Sequence, residues 1–269
     1  MLKSVFSVLL LSWTILLCGA ELPLTAHWDF TKGSFHSVDS RYKMRPRGDT
    51  EIVEENNGRF LKPGMTSGSG SSGLESLSVK GELSPAGAFR LEMRVAFTQA
   101  TSNRNNLFLY DTKNVPYPSK VPANNMGILF MAVRDLKRNL FRLVLSCGNG
   151  ERSFLVTSPQ YKLELEKPCD LHVEYEETGF VTFKFNGKAH RVKTAFGGSL
   201  IPGFRRPVIG DRCGSTYSPF EGKIYSVKLF SKPLPVSPKT SPGKKVSVKK
   251  AARSAPRKKP SLSVNAGFS

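Results

Sequence analysis

Apolar and polar residues alternate with a period of two over much of the chain. Phe89-Arg90-Leu91-Glu92-Met93-Arg94-Val95-Ala96-Phe97 alternates over nine positions, the pattern of a strand with one buried and one wet face. Leu171-His172-Val173-Glu174-Tyr175-Glu176 repeats it, and Glu177-Thr178-Gly179 turns the chain. Val181–Phe185 alternates again and runs into Asn186-Gly187, a pair suited to the positive φ angles of a tight hairpin turn. Lys188–Val192 returns as the partner strand. Gly127–Val133, Phe141–Ser146 and Ser153–Thr157 read as further short strands between polar turns. No stretch of ten or more residues carries a 3.6 period. About a dozen strands and no helix predict an all-β fold, a two-sheet antiparallel sandwich. A domain of this size buries about 70% of its unfolded surface, so it needs neither metal nor partner to fold.

Two stretches interrupt the strands. Thr66–Gly73 is a Gly/Ser loop with little to pack. Asp111–Asn125 holds three prolines and four Asn/Asp, a long loop of the kind that often carries function. The N-terminus has its own pattern. Lys3 precedes the apolar run Val5–Leu17, and Cys18-Gly19-Ala20 supplies small residues for cleavage after Ala20. Residues 1–20 therefore read as a secretory signal peptide. The run falls short of the roughly 20 residues of a spanning helix, and no other apolar run is long enough to cross a bilayer. Beyond the signal, Cys147, Cys169 and Cys213 allow three alternative single bridges, each leaving one thiol over.

Charge changes the picture of the C-terminus. In 269 residues, 40 Lys+Arg against 21 Asp+Glu give a formal +19, which at first points to nucleic acid. The charge is uneven, however. Residues 236–269 hold nine cations (Lys239, Lys244, Lys245, Lys249, Lys250, Arg253, Arg257, Lys258, Lys259), four prolines and no acid. Such a segment cannot offset its own ordering entropy and reads as a disordered basic tail. A sandwich over 21–235 keeps a net charge of +9. Export argues against intracellular nucleic acid, leaving anionic polymers such as acidic polysaccharide or wall polymers as partners of the tail.

Several segments resemble laminin G-like members of the concanavalin A-like lectin/glucanase superfamily. His27-Trp28-Asp29-Phe30 with Gly33 and Val38-Asp39-Ser40 is similar to the opening strand of these domains, and Gly58-Arg59-Phe60-Leu61 to the next. Phe89–Phe97 and the hairpin Val181–Lys188 resemble two internal strands. The closing stretch carries most of the likeness: Val208-Ile209-Gly210, then Phe220-x-Gly222-x-Ile224-x-x-Val227-x-Leu229, ending at Leu234. The resemblance implies a jelly-roll sandwich of about 12–14 strands that binds glycans or proteins, in some members with calcium at the sheet rim. Other members are glycoside hydrolases or polysaccharide lyases.

The residues weigh against catalysis. The hydrolase string Glu-x-Asp-x-x-Glu is absent, and retaining chemistry needs its two carboxylates about 5 Å apart. His172-x-Glu174-x-Glu176 shares one strand face, the wet one, and a solvated polar face is its ordinary role. His190-Arg191 could serve part of a lyase site. No Gly-x-Ser-x-Gly elbow, His-Glu-x-x-His or phosphate loop occurs. Calcium is the one cofactor the resemblance allows, through the loop residues Asp111, Asn114, Asn124 and Asn125 at one rim. An exposed aromatic platform for sugar points to Tyr117 and Tyr217 with Asp211 and Arg212, whereas Trp28 lies in an alternating strand and belongs to the core. Arg47-Gly48-Asp49 falls where the resemblance puts a turn before a strand, which accounts for the tripeptide. There is no Asn-x-Ser/Thr sequon. The sequence thus favours an exported, non-catalytic carbohydrate-binding or cell-surface adhesion domain. A polysaccharide-active enzyme and a structural protein-interaction module are the alternatives.

Overall fold

The computed structural model describes residues 21–56, 58–64, 72–78, 82–99, 105–113, 125–213 and 219–232. The signal peptide and the basic tail expected from sequence lie outside these residues. Among the described residues, sixteen strands and one short 3-10 turn, Phe30–Lys32, make up the regular structure. In chain order the strands are β1 (Leu24–Asp29), β2 (Met44–Pro46), β3 (Glu51–Glu55), β4 (Gly58–Lys62), β5 (Leu74–Ser76), β6 (Phe89–Phe97), β7 (Asn106–Asp111) and β8 (Ile128–Asp135). They continue as β9 (Leu140–Gly148), β10 (Ser153–Thr157), β11 (Tyr161–Lys162), β12 (Cys169–Glu176), β13 (Phe180–Phe185), β14 (Lys188–Lys193), β15 (Val208–Ile209) and β16 (Gly222–Ser231).

They form two eight-stranded antiparallel sheets. The first runs β14-β13-β12-β6-β16-β4-β3, with β1 also paired to β16; the second runs β10-β9-β8-β7-β15-β5-β2, with β11 on β9. Strand alternation builds the core between them. Leu91, Met93 and Val95 of β6, Val173 of β12 and Phe183 of β13 meet Leu143 and Leu145 of β9 and Phe130 of β8 in one buried cluster. Aromatic rings span the gap: Phe97 lies 4.8 Å from Phe141, and Phe154 lies 5.7 Å from Tyr175. Trp28 is fully buried in this core. The result is the all-β sandwich that the alternation predicts, consistent with the jelly roll that the resemblance implies.

The two sheets are also joined by charge. Arg134 at the end of β8 and Glu221 just before β16 are both buried and lie 2.5 Å apart. Cys147, Cys169 and Cys213 are all buried, and no bridge joins any two of them. Burial pushes the Cys169 thiol up to about 12, which keeps it protonated at neutral pH.

Candidate functional site

Four neighbouring strands of the first sheet build a polar groove on its solvent face. Lys184 of β13 is in register with His172 of β12, His172 with Glu92 of β6, and Glu92 with Lys228 of β16. One row along, Asp170 of β12 is in register with Arg94 of β6, and Arg94 with Ser226 of β16. These side chains point the same way because each strand contributes the polar half of its alternation. Together they line a solvent-open groove of about 380 Å³. The turn Asn186-Gly187 closes one end. Asn186 accepts the Asp170 N–H on its side-chain oxygen (2.9 Å) and donates its own N–H to the Asp170 carbonyl (3.0 Å).

Most charges on this face are already matched. His172 lies between two carboxylates, with Nε2 3.3 Å from Glu174 and Nδ1 3.8 Å from Glu92. Arg90 pairs with Glu92 at 3.0 Å, Arg94 with Asp170 at 3.2 Å and Arg191 with Glu176 at 2.7 Å. The hydrogen bond from His172 holds the Glu174 carboxyl below its ordinary value. Burial lowers His27, beside Lys228 on β1, and the Lys228 charge lowers it further. The His172-Glu174-Glu176 row is therefore a lattice of cross-strand pairs. Among the described residues no three His, Cys, Asp or Glu side chains are grouped to hold a metal.

The residues named from sequence are scattered by comparison. Tyr117, Tyr217, Asn114 and Asn124 lie outside the described residues, as do Lys244, Lys245, Lys249, Lys250, Arg253, Arg257, Lys258 and Lys259. Asp111 is corrected from loop to strand. It ends β7 fully buried, and its carboxylate accepts the N–H groups of Lys113 (2.8 Å) and Cys213 (3.0 Å). Asp211, expected at an exposed platform, is instead 1% exposed and accepts both the N–H (3.0 Å) and hydroxyl (3.1 Å) of Ser72. Burial raises the pKa of both acids despite these bonds. Arg212 follows Asp211 in the chain and its charge acts on Asp111, its guanidinium 4.9 Å from the Phe108 ring and its carbonyl accepting from Arg47 at 3.2 Å. Asp111, Asp211 and Arg212 thus do come together, as a buried brace. Asn125 is elsewhere, donating to the Glu151 carbonyl beside the β9–β10 turn. Arg47-Gly48-Asp49 is a closed turn before β3, with the Thr50 N–H bonded to the Arg47 carbonyl at 3.2 Å.

Lys184, Lys228, Arg94 and Asp170 were not singled out from sequence. Their outward positions are legible in the alternation. Their convergence depends on cross-strand register, which one sequence does not reveal.

The fold defines an all-β sandwich class, and comparison with solved structures agrees. One similar structure is the binding domain of botulinum neurotoxin DC in complex with rat synaptotagmin II: 13% identity over 79% of this chain and 49% of that one, TM-score 0.55. Another is a botulinum neurotoxin type C structure, a toxin whose cell entry depends on interaction with two ganglioside molecules: 14% identity, 79% and 49% coverage, TM-score 0.52. The chain spans about half the length of these domains. Domain 4 of AbnA, an extracellular GH43 arabinanase from Geobacillus stearothermophilus, in complex with arabinotriose, matches at 16% identity, 80% of this chain, 95% of that one and TM-score 0.49. No family model and no curated protein matches the sequence.

Proposed function

We propose that this chain is an exported, non-catalytic carbohydrate-binding sandwich of laminin G-like type, with the groove across β13, β12, β6 and β16 as its glycan site. The observation that carries this reading is the groove itself. It is open to solvent, and its lining presents hydroxyl, carboxylate, imidazole, guanidinium and ammonium groups from strands in register. Such a surface suits an extended, hydroxyl-rich chain, whereas small-molecule sites are enclosed and mostly apolar. On this face the Glu92, Glu174 and Glu176 carboxylates are engaged by Arg90, His172 and Arg191, which supports the non-catalytic part of the reading. The dependence of botulinum neurotoxin type C cell entry on two ganglioside molecules, in a protein with a similar sandwich, supports this reading. The basic tail would add electrostatic adhesion to anionic polymers, and neither metal nor cofactor is required.

Ser226 lies on the groove floor in register with Arg94, so Ser226→Trp fills the groove without removing a charge. On a glycan array, the full chain is expected to bind and Ser226→Trp to lose at least tenfold in affinity. Ser153→Trp, at an exposed position on β10 of the other sheet, should bind as the parent does. Equal binding by Ser226→Trp removes the groove from the account. Reducing ends or unsaturated sugars released from any bound polysaccharide would overturn the non-catalytic assignment.

A further inference from the structure

Two cations in the groove lack the matching that orders the rest of this face. Lys184 and Lys228 are half-buried at opposite ends of the row Lys184-His172-Glu92-Lys228, and neither has a carboxylate within ion-pairing distance among the described residues. Three strand spacings separate them, which puts their backbones roughly 14 Å apart. The acids of this face are engaged elsewhere: Asp170 is held by Arg94, Glu92 by Arg90, and Glu174, which feels the Lys184 charge from beyond ion-pairing distance, by His172. By contrast Lys223, at the far end of β16, is held by both Glu55 and Glu166. Withdrawing an ammonium from water is unfavourable unless an opposite charge meets it. Beyond β13, the exposed Lys193 of the edge strand β14 shares this face and continues the positive surface.

We propose that the groove selects acidic polysaccharide, with Lys184 and Lys228 each receiving one carboxylate or sulfate of a chain laid across β13, β12, β6 and β16. This rests on the glycan-site reading above and adds the substrate class. It assigns anion recognition to the folded domain, independently of the tail. Sugar hydroxyls along the intervening span would meet His172 and Glu92, whose charges are already compensated locally. A neutral chain would leave both ammonium groups without a counter-charge, and that difference sets the preference.

The test uses the full chain with the nine tail Lys/Arg replaced by Gln, so that the tail contributes nothing. Binding is measured to polygalacturonate, dextran sulfate and neutral dextran, alongside the glycan array. At least one acidic polymer is expected to bind tenfold or more tighter than dextran. Lys184→Gln/Lys228→Gln should abolish that preference, while Lys184→Arg/Lys228→Arg retains it with an unchanged unfolding temperature. The carboxylated and sulfated arms identify which acid is recognised. Equal binding to dextran, or an acidic preference that survives Lys184→Gln/Lys228→Gln, overturns the proposal. If array glycans still bind in that case, the glycan-site reading stands. If no glycan of any class binds, both fall.

Discussion

Asp211 shows how a single buried carboxyl ties this fold to pH. Burial raises its folded-state pKa above the unfolded value of about 3.9, and the two Ser72 hydrogen bonds only partly oppose the shift. As pH rises past about 4 the unfolded chain loses this proton first, so the unfolded state binds fewer protons and stability falls until the folded group also ionises. Asp211→Asn keeps an acceptor for Ser72 and removes the charge. It should unfold at higher temperature than the parent at pH 7, with the gap closing toward pH 4; thermal melts by circular dichroism across that range would reveal the trend. The Arg134–Glu221 pair sets a second expectation. Arg134→Met removes the guanidinium facing a buried carboxylate and should cost about 3–5 kcal/mol in urea unfolding at pH 7. Trp28 and the arms of the alternating strands were legible in the sequence at this scale. The burial of Asp111 and Asp211 was not, because Asx residues in a Gly-rich stretch look like turn formers and the backbone donors that hold them inward lie far away in the chain, at Cys213 and Ser72.

At the scale of elements, strands that face solvent on one side are readable and irregular ones are not. β6 and β10 match their alternating segments end to end, and β12, β13 and β14 differ by one or two residues. β7 escaped notice because a bulge between Phe108 and Tyr110 breaks its register, so that Leu109 and Tyr110 are both fully buried. β2 and β5 are three residues each, too short for a period, and β3 is mostly exposed. The β13–β14 hairpin confirms the turn chemistry: Asn186 has φ 46° and Gly187 φ 83°. A Cβ on Gly187 meets nothing within 4 Å, so Gly187→Val tests backbone strain alone. It should destabilise by about 1–2 kcal/mol in chemical denaturation. Since this turn closes the groove through Asn186 and Asp170, the same substitution should also weaken glycan binding, readable on the array beside the parent chain.

For the whole molecule, the sandwich supplies rigidity and the solvent face of one sheet supplies chemistry. The groove draws on four strands, with lining residues that run from Glu92 to Lys228, which explains why no local motif announced it. On the proposed reading the formal +19 divides into two roles. Adhesion of the tail to anionic polymers, as proposed, should fall steeply between low and moderate salt, because nine cations would each release counterions. Groove binding should fall less, because its two lysines are half-buried and aided by hydroxyl contacts; salt titrations of the full chain with and without its tail cations would separate the contributions. The most direct measurement is lysine acetylation footprinting by mass spectrometry, with and without a bound acidic glycan, on the chain whose tail cations are replaced. The account predicts that Lys184 and Lys228 react more slowly when glycan is bound, while Lys62 and Lys137 react as before. Protection confined to other lysines, with Lys184 and Lys228 unchanged, would contradict it.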